Sequence, residues 1–274
     1  MNKKYPFQHE YLDFALTTAL AASDIILDIY NSDFKKELKD GNEPVTEADR
    51  AADMFITAAI KREFPNDSIL SEECGSYVPD SPNGRAWFID PIDGTAEFIK
   101  KNGQFAIQMG LAVDGEISFG LVLKPVGSVV YVAATGQGCW TKSSKAPWQK
   151  LVAHKPDKQD LVLASSISYP SETGIAVHKI LNGTKLIKRG GVGLKLMAIA
   201  GGEADYYIND SNKTKAWDVA APEILFKEAG GLLTEMSGKP FRYDINDYGH
   251  KNGLLASNDT ALHSELLKIL KSNF

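Results

Sequence analysis

The chain has 274 residues, 43% hydrophobic and 24% charged, with a net charge of -5. This excludes the disordered and fibrous classes and leaves enough length to bury roughly three quarters of the unfolded surface, in one large domain or two intimate ones. Lysines and arginines are scattered and do not form a basic stripe, which argues against nucleic acid as a bulk partner.

Only two cysteines occur, Cys74 and Cys139, as expected of free thiols in a reducing compartment. The opening MNKKYPFQHEYLDF has charge and proline where a secretory signal has an apolar core, and no apolar run nears the ~20 residues of a membrane span. The expected location is cytoplasmic, without stable membrane insertion, and peripheral membrane contact stays open.

In chain order, Tyr11 to Tyr30 carries apolar residues three or four apart, the stripe of an amphipathic helix, followed by a loop rich in Lys, Asp, Gly and Asn. Thr46 opens a second helix with Ala48, Ala51, Ala52, Phe55, Ala59 and Ile60 as its inner face. Asp49 lies in its first turn, where the T-x-x-D spacing reads as a capping box. Ser68 to Ser71 is a short strand running into Glu72 and Glu73, acids that at a strand end are ordinarily solvated.

The stretch WFIDPIDGTAEFIKKN, Trp87 to Asn102, reads as a buried strand that Pro91 and Gly94 bring to an end, leaving Asp90 and Asp93 on a turn. Thr95 starts a helix whose first amides have no internal acceptor and suit a phosphate oxygen. Phe105 to Val113, Glu116 to Lys124 and Ser128 to Ala134 form an antiparallel meander, the first two joined by a two-residue turn at Asp114-Gly115. Thr141 to Asp160 is rich in Lys, Ser, Pro and Gln without periodicity and serves as a domain boundary, dividing an N-terminal α+β domain (residues 1–148) from a C-terminal α/β domain (149–274).

Beyond it short strands alternate with helices: strands at Leu161 to Ser165, Lys185 to Arg189 and Ala204 to Ile208, helices near Thr173 to Leu181 and Leu194 to Ala200. Ala216-Trp217-Asp218 leads into a helix ending at Gly230-Gly231, with Asp218 in the place of an N-cap. Strands Leu232 to Met236 and Leu254 to Ser257 and a helix from Thr260 to Leu270 complete the chain. The five histidines have no motif context.

Glu72, Asp90, Asp93 and Asp218 all fall at strand ends or helix starts, where sites on mixed α/β scaffolds are built. Two ionised carboxylates about 5 Å apart cost roughly 3 kcal/mol at an effective dielectric of about 20. Four converging acids therefore call for cations, and Trp87, Phe88, Ile89 and Ile92 supply no base nearby. Oxygen-only ligation points to magnesium or manganese before zinc, and paired ions of that kind serve in-line displacement at phosphorus. The residues alone thus indicate a metal-dependent phosphoryl-transfer enzyme.

Asp49 after V-T-E-A, Glu72-Glu73, DPIDGT at Asp90 to Thr95 and WDVAA at Trp217 to Ala221 together resemble the inositol monophosphatase superfamily of magnesium-dependent, lithium-sensitive phosphatases, over nearly the whole chain. Ala96 to Phe105 and Lys215 to Glu223 are similar to the 3′(2′),5′-bisphosphate nucleotidase branch. Ala164 to Ser168 and Gly191 to Lys195 depart from that branch, with only Lys195 carrying over to its nucleotide contacts.

The resemblance implies a layered αβαβα sandwich, an α/β (α+β) fold with the site in the seam between its halves. Two or three Mg2+ ions, replaceable by Mn2+, would be held by Glu72, Asp90, the Ile92 carbonyl, Asp93 and Asp218. A metal-held water would be activated through Thr95 and Asp49 without a covalent phosphoenzyme. Gly94, Thr95, Lys195 and Asp218 would address a small phosphorylated substrate. The implied reaction is release of the 3′-phosphate of adenosine 3′,5′-bisphosphate, or of 3′-phosphoadenylyl sulfate, in sulfur metabolism, and a homodimer is compatible with it. The alternatives are an inositol 1-phosphate or other sugar phosphate phosphatase and, in a different class, a noncatalytic metal- and phosphate-binding protein.

Overall fold

The computed structural model describes residues 5–39 and 43–274. Met1 to Lys4 of the opening segment, and Asp40, Gly41 and Asn42 of the first loop, lie outside the described residues. Helix α1 (Leu12–Tyr30) is followed by the hairpin β1 (Lys36–Leu38) and β2 (Pro44–Thr46), then α2 (Glu47–Glu63), β3 (Ser68–Ser71), β4 (Gly75–Tyr77), β5 (Arg85–Asp93) and the short α3 (Thr95–Ile99). A run of strands follows: β6 (Ala106–Val113), β7 (Glu116–Lys124), β8 (Val129–Ala134), β9 (Gly138–Ser143) and β10 (Ala146–Leu151). The second half contains β11 (Val162–Ser166), α4 (Glu172–Ile180), β12 (Lys185–Arg189), α5 (Val192–Ala200), β13 (Tyr206–Asn209), β14 (Thr214–Lys215) and α6 (Ala216–Glu228). It closes with β15 (Leu232–Thr234), β16 (Gly249–His250), β17 (Leu254–Ser257) and α7 (Thr260–Asn273).

Strands β3 to β10 form one eight-stranded sheet in the order β10-β9-β8-β7-β6-β5-β3-β4, antiparallel except for the parallel pair β3 and β5. A five-stranded mixed sheet, β12-β11-β13-β17-β15, forms in the second half. Alternation along the strands sends their side chains into different cores. Trp87, Ile89, Met109, Leu111 and Leu121 pack under α1 and α2, whereas Phe88, Val122 and Ala133 meet α5 and α6 on the opposite face. The far side of α5 and α6 packs on the second sheet through Ala164, Tyr207 and Ala256, and Leu163, Tyr206 and Leu255 of that sheet meet Leu262 and Leu266 of α7. The layers are therefore α, β, α, β, α, the expected sandwich.

Three local expectations change. Strand β5 does not end before Pro91 but continues to Asp93, with its register against β6 shifting between Asp90 and Asp93. The proline sits in that irregularity, where a missing N–H breaks no ladder bond. On α2 the buried stripe is Ala48, Ala52, Ile56, Ala59 and Ile60; Ala51 is half-buried and Phe55 is 38% exposed. The stripe includes the buried acids Asp49 and Asp53, which a search for apolar periodicity passes over. Finally, Thr141 to Leu151 belongs to the hairpin β9–β10, and the expected division at residue 148 falls inside β10. As the outer strand of its sheet β10 has no buried residue, and its Lys and Pro suit an edge while reading as linker.

Candidate active site

Helix α2 begins at the N-cap Thr46, and the third helical residue, Asp49, accepts from the Thr46 backbone N–H at 2.8 Å and from its hydroxyl through Oδ2. The other carboxylate oxygen, Oδ1, accepts from the Thr95 hydroxyl at 3.0 Å. Capping and the contact to Thr95 are thus made by opposite oxygens of one carboxylate. Burial pushes the Asp49 carboxyl above its ordinary value, against the hydrogen bonds from Thr46 and Thr95.

The irregular end of β5 sets the next pair. Asp90 accepts from the Ile92 amide at 2.9 Å through Oδ1, and the Ile92 carbonyl lies 3.3 Å from the Thr95 hydroxyl. Gly94 then turns the chain with φ of 104°, a left-handed conformation in which a side chain is strained, and begins α3. Its Cβ position would also stand 3.0 Å from the Gln104 carbonyl.

Asp93 reaches across to the second half. Its two oxygens accept from the Val192 amide at 3.0 Å and the Gly193 amide at 2.9 Å, at the N-terminus of α5. This approach depends on Gly190 and Gly191: a Cβ on Gly191 would lie 2.0 Å from the Asp93 carboxylate, and one on Gly190 would lie 1.6 Å from the Gln104 carbonyl. Lys195, one turn into α5, donates from Nζ to the Gly190 and Gly191 carbonyls at 2.6 and 2.7 Å and lies 5.0 Å from the Tyr207 ring centroid. Lys195 is buried, and burial lowers its ammonium to about 8 against the pull of Asp93, Glu97 and Asp218.

Asp218 is the third residue of α6, not its N-cap, and accepts from the Lys215 amide at 2.7 Å. Its helix is seated by Gly110 of β6 and Gly120 of β7, which face each other in register. A Cβ at Gly110 would lie 2.7 Å from the Ala221 nitrogen, and one at Gly120 would lie 2.5 Å from Ile224 Cγ2. Two strand glycines side by side leave a flat bed on which α6 lies against the sheet, its first turn directed at the end of β5.

Glu72 follows β3 and accepts from Lys39 Nζ at 3.0 Å, and Glu73 accepts from the same ammonium. Burial is the main force raising the Glu72 carboxyl to about 7, with Lys39 opposing it and Glu73 and Asp49 adding to it. Asp93 is raised to about 6 by burial, with Lys195 and the α5 amides opposing. Asp90 is pushed well up by burial and then by Glu72, Asp93, Asp218 and Asp49; Asp218 by burial and then by Glu72. The acids are close enough to repel one another through protein, with Lys39 and Lys195 as nearby cations.

As oriented by their local hydrogen bonds, no three Asp, Glu, His or Cys side chains among the described residues enclose one point. Glu72 is turned to Lys39, Asp93 to α5 and Asp218 to Lys215. Glu72 is engaged through Oε1, Asp90 through Oδ1 and Asp218 through Oδ2. An ionised carboxylate has about four acceptor positions, so Asp93 also retains capacity. Hard oxygen donors in a buried, mutually repelling group fit a divalent cation of the magnesium or manganese kind.

Lys39 and Asp53 escape the sequence reading, and Glu97 enters it only as part of the stretch Ala96 to Phe105. Lys39 comes from the first hairpin with no local signal. Glu97 is buried and accepts from the Ser168 hydroxyl, to which Lys100 Nζ donates at 2.7 Å, joining α3 to the second half. Asp53, buried one helical turn beyond Asp49, accepts from the Glu73 and Cys74 amides. The spacing of Asp49 and Asp53 on the buried stripe is the signal that marks it.

The sequence profile of the inositol monophosphatase family matches residues 8–273. Inositol-1-monophosphatase of Bacillus subtilis is 32% identical over 210 residues, covering 74% of this chain and 76% of its own. Fructose-1,6-bisphosphatase/inositol-1-monophosphatase of Thermotoga maritima is 28% identical over 261 residues, covering 94% and 95%. A solved inositol monophosphatase from Thermotoga maritima superposes with a TM-score of 0.80 at 26% identity, covering 96% of this chain and 98% of that one.

Proposed function

The chain belongs to the inositol monophosphatase family, and from that premise we propose that it is a divalent-cation-dependent phosphomonoesterase removing the 3′-phosphate of adenosine 3′,5′-bisphosphate. The observation that carries the phosphatase reading is the Asp49–Thr95 hydrogen bond beside the repelling group Glu72, Asp90, Asp93 and Asp218. The nucleotide reading is supported by Glu97 and Lys100, within the stretch that resembles the nucleotidase branch, although both meet Ser168 of a segment that departs from it. Lys100 is exposed there and offers its charge to a second phosphate.

Glu72, Asp90, Asp93, Asp218 and the Ile92 carbonyl are the groups that would hold Mg2+, or Mn2+ in its place. When bound, such a cation supplies neutralisation of the acids and electrostatic stabilisation of charge on the phosphoryl oxygens. The Thr95 hydroxyl takes a proton from the attacking water as its own proton passes to Asp49 Oδ1. Burial favours the protonated form of Asp49 and so suits it to receive that proton. The water oxygen bonds to phosphorus as the phosphorus–ribose oxygen bond breaks, and the ribose oxygen leaves and takes a proton from solvent, to which Asp49 later returns its own. The amides of Gly94 and Thr95, at the start of α3, orient the phosphate, and Asp93, held by the α5 amides, fixes the second half against it.

A second reading, hydrolysis of inositol 1-phosphate, is favoured by the names of the Bacillus and Thermotoga relatives. It uses the same groups and differs only in what lies against the seam. Phosphate release from the two substrates, with and without lithium, separates the readings: faster turnover of the nucleotide supports the first, and faster turnover of inositol 1-phosphate replaces it.

A further inference from the structure

Asp53 has no part in the chemistry above, yet it is completely buried and lies on the same face of α2 as Asp49. Its carboxylate collects three donors from one turn: the Ser71 hydroxyl on Oδ1, and the Glu73 amide at 2.9 Å and the Cys74 amide at 2.6 Å on Oδ2. The missing member of that run is Glu72, whose own amide donates to the Ile89 carbonyl at 3.1 Å, extending the pairing of β3 with β5. Glu72 is therefore held on both sides, by the Ser71 hydroxyl before it and the Glu73 amide after it. The sheet holds its own nitrogen, and Asp53 holds the residues before and after it.

An acceptor is required at the place of Oδ2, because the Glu73 and Cys74 amides both donate there. An Asn can keep its carbonyl oxygen on the two amides and turn its NH2 to the Ser71 hydroxyl, which can also accept, whereas an alkyl group would leave two buried amides unpaired. The two carboxylates one turn apart on α2 thus face different parts of the site: Asp49 contacts the Thr95 hydroxyl directly, and Asp53 shapes the turn that presents Glu72.

We propose that Asp53 is the positioning residue that fixes the Glu72–Glu73 turn for cation binding, an inference resting on the reading of Glu72 as a cation ligand. Outer groups of this kind change metal affinity by about 10- to 100-fold when removed.

The test is Mn2+ binding to the full chain, followed by the electron paramagnetic resonance signal of free Mn2+, alongside kcat and KM for phosphate release. Asp53→Ala is expected to weaken Mn2+ binding by about 10- to 100-fold while KM at saturating cation stays within about twofold, and Asp53→Asn, which keeps an acceptor for both amides, is expected to restore most of the affinity. Ile56→Val, a core change on the same helix, lowers stability without touching the turn and is expected to leave Mn2+ affinity unchanged. If Asp53→Ala does not fold, Ser71→Ala removes one of the three donors and is expected to weaken binding a few-fold. Wild-type Mn2+ affinity in Asp53→Ala, or in Ser71→Ala where that variant stands in, overturns the proposal. An unchanged affinity in Glu72→Gln instead overturns the reading of Glu72 on which it rests.

Discussion

The Thr95 hydroxyl donates to Asp49 at 3.0 Å across 46 residues of sequence, while the opposite oxygen of the same carboxylate caps helix α2. One side chain thus ties the start of a helix to the proton path of the site. Asp49→Asn keeps the shape but removes a proton acceptor. It should lower kcat by about 10²- to 10⁴-fold, the usual contribution of general base catalysis, with a small change in KM. Thr95→Ser should retain most of kcat and Thr95→Val should lose it; equal activity in Thr95→Val would remove the hydroxyl from the path. Steady-state phosphate release measures all three.

A second prediction concerns pH and cation together. Glu72 is raised to about 7 and Asp93 to about 6, each mainly by burial. A carboxyl raised on folding binds more protons in the folded than in the unfolded state between its two values, so stability falls as pH rises through that window. The cation-free protein should therefore lose thermal stability between about pH 4.5 and 7. Mg2+ should raise Tm more at pH 7.5 than at pH 5, because it neutralises acids that are ionised only at the higher pH. Thermal scans with a chelator and with Mg2+ test this, and an equal Mg2+ effect at both values would count against clustered acids.

Lys195 gives a third. Its ammonium is buried against two carbonyls and near Asp93 and Glu97. Lys195→Met should leave these acids without their cation and destabilise the fold by about 3–5 kcal/mol, as removal of one partner of a buried charge pair does. Urea unfolding measures the loss. A variant of native stability with only a raised KM would instead make Lys195 a direct substrate contact.

Gly190 gives a fourth. A methyl there would meet the Gln104 carbonyl at 1.6 Å, so backbone must move. Gly190→Ala should cost at least about 1–3 kcal/mol, the range for overpacking. It should also lower kcat by displacing α5 from Asp93. Native stability and activity in that variant would show that the loop has another way to sit.

Much of the fold was readable because its elements repeat with period two or near 3.6: α1, the meander β6 to β8 and the alternating second half follow their apolar patterns. The hairpin β9–β10 was not, since an edge strand has little apolar burial to reveal it. Pro91 misled in the opposite direction, because a strand can carry proline where its register shifts. The order DPIDGT, then WDVAA, pointed to residues that lie near one another, but Lys39 and Asp53 act through non-local contacts that no single segment announces. Gly110 and Gly120 likewise acquire their meaning only when paired across two strands beneath α6.

The most direct measurement is phosphate release by the purified chain from adenosine 3′,5′-bisphosphate, inositol 1-phosphate and fructose bisphosphate, each with Mg2+ and with a chelator. The predicted result is Mg2+-dependent release, abolished in Asp49→Asn, with kcat/KM for the nucleotide at least about tenfold above the others. Higher kcat/KM for inositol 1-phosphate would contradict the substrate, and no Mg2+-dependent release from any of the three would contradict the phosphatase itself.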